Sequence, residues 1–587
     1  MSKVVLAAIH SKYIHSALAP WCLAAAVEEY CLFPHQVLVR EGTINQPDEK
    51  LLELLTGDAP QVLGLSCYIW NWTAIRRLLP RLRQCLPDTV LVAGGPEVSF
   101  CSRQVLEDCP EIDYVISGEG ERPFSLLMDR LAAGKDVGDI PGLSFRRDGR
   151  PVILPSAPSR EIHPSPYTPA YFAALGNRIP YLETSRGCPF SCAFCLSGRE
   201  DPVRFYPMER AQKELLALAA TGARTIKLVD RTFNCNAART KELLEFILAH
   251  WGKEIPRGVC FHFEVGADLF DEETLALLST APKGLFQMEA GLQSFHPQTL
   301  AAVSRVTDMK RLERNLRTLI AMGNCHIHID LIAGLPDEDL ETFGRSFDLA
   351  FALRPQMLQL GFLKLIHGSR LRQMAPELGY RWDPQPPYEC LDNPWFHPAD
   401  RQALHRCEDA LERLWNSGRF RLTVEYLLES TGLRPFELFC RFGDFAAAGG
   451  DLTGIRLDEY TALLWRWGKD QPGVEMETLR DHLLCDRLRR DNTGRIPPCI
   501  HRPDPRVGEV KRLLRESLDL SGCDGAGFGA AILSDGQTAV ALYRDKDPVT
   551  GNYPFVLCSR EQLEKGQIFD FSLKNLPVKG SSPARRR

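Results

Sequence analysis

Residues 185–195 read SRGCPFSCAFC and bring Cys188, Cys192 and Cys195 into one short stretch. Thiolates at this CxxxCxxC spacing can wrap a metal centre from a single compact loop. A structural zinc site takes four protein ligands, and the next cysteine, Cys235, lies far along the chain beyond a strand pattern. A four-iron cluster takes one thiolate per iron, so three cysteines leave one iron open. An open iron can bind a small molecule and pass it an electron. Three buried thiols, or a zinc site completed by a distant histidine, are the alternatives. Most of the 19 cysteines stand singly, as Cys22, Cys260 and Cys407 do. Such residues are usually small buried hydrophobes.

The cysteines need a scaffold, and the flanking sequence supplies a repeated one. YLET starts as a strand and turns polar just before Cys188. Further apolar strand patterns follow at 222–233, 258–268, 284–294, 326–336 and 357–368, with helical stretches such as RAQKELLALAATG and MKRLERNLRTLIAMG between them. Six strand–helix units predict a full or partial (β/α)6 TIM-like barrel. Asp230, Glu264, Glu289, Gln293 and Asp330 fall at the strand ends, where a barrel builds its site. No fixed-period repeat supports a solenoid.

Residues 1 to about 150 alternate five Val/Ile/Leu-rich strand patterns with helices, which predicts a doubly wound α/β sheet. The loops after its fourth and fifth strands carry Gly94 and Gly95, then Gly118, Glu119 and Gly120. Open sheets bind ligands at such carboxyl ends, and glycine lets a backbone approach a ligand closely. Tight turns alone are the plainer account of these glycines. No GxGxxG opens the first helix, which disfavours a dinucleotide site. The expected domains are 1–150, a linker over 151–177, a barrel over 178–370, and a mainly helical region over 371–587 with a small β element. AAILSDGQTAVALYR reads there as a hairpin with an Asp-Gly turn.

CPFSCAFC, with Phe194 before its last cysteine, resembles the cluster motif of radical S-adenosylmethionine enzymes. The resemblance implies a [4Fe-4S] cluster on Cys188, Cys192 and Cys195, with S-adenosylmethionine on the open iron. LVDRTFN, with Asp230, stands where many members carry a segment holding the methionine amino group, and it resembles the cobalamin-binding branch of the family. MEAGLQSFHPQTL resembles the segment after the fourth strand and places Glu289 and Gln293 near the cofactor, with Arg305 and Asp308 following. Glu264 joins this group from the third strand. DLIAGLPDED, with Gly334, resembles the turn that packs against the adenine. The N-terminal GGPE and GEGE segments resemble the same branch's cobalamin domain, so Ser66, Gly94, Gly95, Gly118, Glu119 and Gly120 are expected to touch cobalamin. The branch's DxHxxG pattern departs here to AIHSKY. His10 is kept, but Ala8 and Tyr13 replace the Asp and the Gly. The carboxylate that would orient the histidine is therefore missing, and His10 is expected to line the cobalamin's lower face or nucleotide tail rather than to ligate cobalt. A helix cap or a backbone bond is the alternative for His10 and His15.

The implied activity is methyl transfer to an unactivated carbon through a 5′-deoxyadenosyl radical and methylcobalamin. Such a carbon has no acidic proton for a base to remove, so the cofactors carry the hard chemistry. Alternatives are a radical cyclase or rearrangement enzyme, an RNA-nucleotide modifier, or a non-catalytic corrinoid or Fe–S sensor. A reductant such as flavodoxin or ferredoxin is implied as partner, and a small molecule, a peptide or an RNA as substrate. The composition, 44% hydrophobic and 25% charged with formal net charge −5, is that of a globular protein and argues against a uniformly basic nucleic-acid surface. The N-terminal apolar run is too short for a signal peptide or a span, so a cytoplasmic protein is expected. Residues 571–587 contain no acid. They read as a solvated tail or, less simply, as a phosphate-binding one. The RLRR run at 487–490 reads as a solvated helix face.

Overall fold

A computed structural model describes residues 2–157, 159–198 and 202–564; the basic tail at 571–587 lies outside them. The chain divides into two compact units, Met1–Ser346 with Leu360–Arg401, and Phe347–Gln359 with the remainder from Gln402. Residues 371–401 thus pack with the first unit, not with the helical region that follows.

The first unit opens with a seven-stranded sheet in the order β2-β1-β3-β4-β5-β6-β7. Its strands are β1 (Ser2–His10), β2 (His35–Thr43), β3 (Val62–Ser66), β4 (Val90–Gly94), β5 (Tyr114–Ile116), β6 (Leu143–Arg147) and β7 (Arg150–Ile153). The first five run parallel, and β6 and β7 close the edge antiparallel. In β1 the run from Val4 to His10 is buried, as befits a central strand covered on both faces. Helices Ala19–Tyr30 and Glu121–Ala133 pack on one face through Val27, Phe124, Leu127 and Met128. Helices Asp48–Thr56, Trp72–Cys85 and Ser102–Asp108 cover the other through Leu51, Ile75, Leu78 and Val105. Strand order reverses between β1 and β3, so the crevice of this sheet lies at their carboxyl ends. The 151–177 stretch is partly ordered into elements. It completes β7 and forms the helix Pro169–Leu175, capped by Thr168.

The second sheet has six strands in sequential order: Tyr181–Leu182, Thr225–Leu228, Cys260–Val265, Phe286–Gln293, His326–Ala333 and Met357–Phe362. At least one helix lies between each successive pair, giving the open, six-stranded barrel core expected from the sequence. Residues 286–293 alternate buried and half-buried without exception. Phe286, Met288, Ala290 and Leu292 face the helices; Gln287, Glu289, Gly291 and Gln293 face the lumen. Closed barrels fill this lumen with branched apolar side chains. Here it carries Lys227, His262, Glu264, Glu289, His328 and Asp330, so it is a cavity lining and not a core.

The second unit is mainly helical. Phe347, Phe351, Trp415 and Phe439 form an aromatic cluster with centroids 4.6–5.8 Å apart for the pairs Phe351–Trp415, Phe351–Phe439 and Phe347–Phe439. Buried Asp486 accepts from Leu422 N, Thr423 N and the Thr423 hydroxyl, satisfying the first turn of helix Arg421–Thr431. A three-stranded antiparallel sheet, Phe528–Ile532, Thr538–Leu542 and Phe555–Cys558, contains the expected hairpin. The RLRR run is not a solvated face. Arg487 pairs with Asp458 at 3.0 Å, and Arg490 donates to the carbonyls of Thr550 and Ser417.

Candidate functional site

The loop carrying the cysteines leaves the first barrel strand, and Asp230 fixes its base. This carboxylate is 2% exposed. It accepts from Thr184 N at 2.8 Å, the Thr184 hydroxyl at 2.6 Å and the Ser185 hydroxyl at 2.8 Å. Burial raises its pKa, and these bonds oppose the rise. Its oxygens are thus turned to the strand that enters the loop, which gives Asp230 a positioning role.

Within the loop, Cys192 is buried while Cys188 and Cys195 are half-buried. Burial pushes the Cys192 thiol up, the Arg305 guanidinium counters this, and the nearby Cys195 and Cys188 raise it further. Arg305 Nη1 stands 3.7 Å from Cys192 Sγ, and Nη2 donates to the Gly291 carbonyl at 2.7 Å. Three cysteines gathered in one loop beside a fixed cation suit a shared positive centre that takes them as thiolates. The loop is held from two sides. Ala193 N donates to Val303 O at 2.8 Å, and Leu371 N donates to Ala193 O at 2.7 Å. Phe194 is half-buried in the same loop. Asp308 caps helix Met309–Met322 by accepting from Arg311 N.

Next to this loop, Gln293 Oε1 and Arg305 Nε are buried with no hydrogen-bond partner. Gln293 adopts φ +71°, a strained conformation for a non-glycine residue, and Gly291 leaves it room, since a Cβ there would meet Gln293 Nε2 at 2.3 Å. Unsatisfied polar atoms beside a cysteine cradle are what a polar ligand on the open iron would satisfy. Gly334, with φ +88°, closes the end of the fifth strand; its carbonyl accepts from Tyr380 and Asn393.

The lumen forms a second polar group. His262 Nε2 is 3.2 Å from Glu289 Oε2, and His328 Nε2 is 2.9 Å from Asp330 Oδ1. Burial lifts Glu264 to about 7, partly offset by Arg231 and reinforced by Glu289. The hydrogen bond from His262 is the main influence that lowers Glu289. Glu264, Glu289, Gln293 and Asp330 were read as strand-end residues, and Gln293 does end its strand, but Glu289 and Asp330 sit inside theirs; Lys227, His262 and His328 were not singled out, although each sits two or three residues from one that was.

At the carboxyl ends of the first sheet, His10 departs from expectation. A carboxylate does orient it, supplied by the neighbouring strand: Glu41 Oε2 lies 2.8 Å from His10 Nε2. Parallel pairing of β1 with β2 sets Ala8 opposite Glu41, so the acid moved across the sheet from the position where the motif has its Asp. Glu41 also accepts from Ala17 N, Trp21 and, in a two-pronged pair, Arg178. Burial would raise its pKa, but the bonds from His10 and Arg178 and the Arg178 charge hold it at about 2. His15 neither caps a helix nor bonds backbone through its ring; its Nδ1 is 2.7 Å from the Tyr181 hydroxyl. Gly95, at φ +111°, passes so close to β3 that a Cβ would lie 2.5 Å from the Cys67 carbonyl. Glycine is needed there by the fold itself. Glu119 is engaged by Arg204, Arg186 and His163 and is held at about 2, burial notwithstanding. That ion network is its setting. Gly118 takes φ +82°, and Gly120 precedes helix Glu121–Ala133 with little room beside Leu23. Ser66, Gly94 and the stacked Tyr68–Trp70 pair, with ring centroids 4.4 Å apart, remain at the open strand ends. Trp70 is 45% exposed and Tyr13 77%, which suits a wide flat ligand such as a corrin.

Comparison with known proteins bears on both halves. A model described as B12 binding domain matches residues 4–128, and one described as Radical SAM superfamily matches residues 182–350. The chain is a cobalamin-binding radical SAM protein. Its cofactors are those of that family: cobalamin, S-adenosylmethionine and an iron–sulfur cluster. A third model, a protein of unknown function (DUF4080), matches residues 376–519. Among curated relatives, the cobalamin-dependent radical SAM methyltransferase TokK of Streptomyces tokunonensis is 30% identical over 306 residues, covering 48% of this chain and 44% of TokK. The anaerobic magnesium-protoporphyrin IX monomethyl ester cyclase of Rubrivivax gelatinosus is 24% identical over 340 residues, covering 55% and 59%. The match to TokK thus spans less than half of that relative's length. The solved structure of the cobalamin-dependent S-adenosylmethionine radical enzyme OxsB, with aqua-cobalamin and S-adenosylmethionine bound, shares the fold. Its TM-score is 0.56 at 14% identity, covering 82% of this chain and 78% of OxsB. Among the described residues no helix is long and apolar enough to cross a membrane.

Proposed function

We propose that this cobalamin-binding radical SAM protein transfers a methyl group to an unactivated carbon of a polar substrate held in the barrel lumen. The observation that carries the reading is the pairing of the three-cysteine loop and its unsatisfied Gln293 and Arg305 with a lumen lined by charged and histidine side chains. In this reading Cys188, Cys192 and Cys195 hold the cluster, and Gln293, Arg305, Phe194 and Gly334 border S-adenosylmethionine. Ser66, Gly94 and the Tyr68–Trp70 pair face cobalamin. When bound, the cofactors supply the radical and the methyl group. The chain's own residues do the rest. Arg305 fixes the charge beside Cys192. Asp230 holds the strand that aims the loop. Glu264, with its pKa near neutrality, can give or take a proton at the lumen wall, and Lys227, Glu289 and Asp330 orient polar groups of the substrate.

An external one-electron donor such as flavodoxin or ferredoxin would supply the reductant. The test uses the full chain reconstituted anaerobically, with S-adenosylmethionine deuterated in its methyl group and an extract of cells lacking the protein. The expected result is 5′-deoxyadenosine together with a product that retains the label, both abolished by Cys192→Ala. Production of 5′-deoxyadenosine with no labelled product would favour the second reading, ring formation without methyl transfer, which the likeness to the cyclase of Rubrivivax gelatinosus supports.

A further inference from the structure

A cavity of about 640 Å³ opens in the first unit, away from the lumen and the cysteines. Its floor comes from helices Trp72–Cys85 and Ser102–Asp108 of the cobalamin-binding domain, through Trp72, Arg76 and Asp108. Its roof is the 367–391 segment, through Arg372, Arg381, Trp382 and Tyr388. The volume falls within the roughly 300–1,000 Å³ of small-molecule sites. Neither radical chemistry nor cobalamin binding calls on these residues.

Two features of the lining point to the occupant. The first is flat aromatic surface: Trp72 is buried, and Trp382 and Tyr388 stand on either side of Arg372, whose guanidinium lies 5.5 Å and 4.8 Å from their ring centroids. Guanidinium and aromatic planes offer stacking on a planar ligand. The second is charge. Arg76, Arg372 and Arg381 line the cavity against a single carboxylate, Asp108. Arg381 is paired with Asp392, and buried Glu97 lies beside Tyr388 and near Arg372, so the free cationic character rests on Arg76 and Arg372; arginine suits carboxylate and phosphate groups geometrically. Burial and the neighbouring Arg372 hold His367 at about 4, so it stays neutral near pH 7 and adds no positive charge.

The walls are also braced. Tyr388 is tied by its hydroxyl to buried Glu97, Arg372 donates to the Leu365 carbonyl, and Phe100 fills the space beside Gly368. The cavity is therefore shaped by both the cobalamin-binding domain and the segment that follows the barrel.

We propose that this cavity binds a small planar aromatic anion, stacked against Trp382 with its carboxylate or phosphate on Arg372 and Arg381. The site is independent of the methyl-transfer reading and lies partly in the segment matched by the model of unknown function. The test is calorimetric titration of the cluster-loaded full chain with two probes, anthranilate for an aromatic carboxylate and adenosine monophosphate for an aromatic phosphate. Each is paired with its uncharged counterpart, aniline or adenosine. One probe is expected to bind with Kd below about 1 mM, its neutral counterpart at least about tenfold more weakly. Which probe wins names the anion. Arg372→Met should weaken the winner about tenfold; Arg381→Gln, at an exposed side chain that does not threaten the fold, should weaken it measurably. Hydrogen exchange should slow in residues 72–109 and 367–391. Binding of neither probe, equal binding of the neutral counterparts, or protection confined to other segments would overturn the assignment.

Discussion

Glu41 gives the sharpest quantitative test of how the first unit is held. One carboxylate, 9% exposed at its side chain, accepts from His10, Arg178, Trp21 and the Ala17 amide. It thereby joins β2 to β1, to the loop before the first helix, and to residue 178 at the threshold of the barrel. An ordinary glutamate at 4.5 held at about 2 contributes about 3 kcal/mol to stability at neutral pH, at ~1.4 kcal/mol per pH decade. The folded pKa is depressed, so that contribution is complete above about pH 4.5 and is lost as pH falls towards 2. Glu41→Gln removes the charge while keeping the shape. It leaves the buried Arg178 guanidinium uncompensated, for which about 3–5 kcal/mol is typical. The two routes agree on a loss of about 3 kcal/mol at pH 7. Denaturant unfolding of the full chain, followed at the transition that reports the first unit, should show this loss at pH 7 and a shrinking difference between variant and wild type as pH approaches 3. A variant within 1 kcal/mol of wild type at pH 7, or a gap that does not narrow in acid, would refute the account.

Asp230→Ala leaves the Thr184 amide and two hydroxyls without their acceptor. At about 1–3 kcal/mol per buried unsatisfied group, it should cost about 3 kcal/mol overall and lower the iron bound per chain, with Asp230→Asn intermediate. Melting curves and iron analysis check this, and a variant that melts like wild type but fails only to bind S-adenosylmethionine would return Asp230 to the cofactor. Buried Glu338 accepts from the Ser294 and Ser346 hydroxyls, and burial raises it to about 7. Its folded pKa lies above the unfolded value, so the folded state binds the extra proton between about pH 4.5 and 7, and stability should fall as pH rises through that window. Glu338→Gln, which imitates the protonated acid, should flatten the fall; unchanged pH dependence in that variant would refute the assignment.

Local patterns were the readable part of this chain. The barrel strands were legible because runs such as FQMEAGLQ alternate with period two and sit between amphipathic helices. The helix Pro435–Ala448 escaped notice because RPFELFCRFGDFAAAGG mixes aromatics and glycines and lacks a clear polar face; the structure buries Phe436, Phe439 and Phe442 there. The antiparallel pair β6 and β7 is short and charged, and an edge position explains why. Partnerships between distant residues were not legible. Nothing near His10 announces Glu41, because only parallel register brings them together. Asp230 lies in a family-like segment, yet its direction is decided by Thr184 and Ser185, more than forty residues earlier. The glycines at 94–95 carried two readings; the approach of Gly95 to Cys67 shows that backbone crowding alone suffices to require the second.

Ala193 has a consequence for how the protein is made. Its amide is bound to residue 303 and its carbonyl to residue 371, so both anchors of the cysteine loop lie far downstream of the loop. A ribosome that has just released the cysteines has not yet supplied either. The native shape of the loop is complete only once residues through 371 have emerged and docked. A chain ended at residue 360 would keep every cysteine of the motif and still lack the bond from Leu371 to the Ala193 carbonyl.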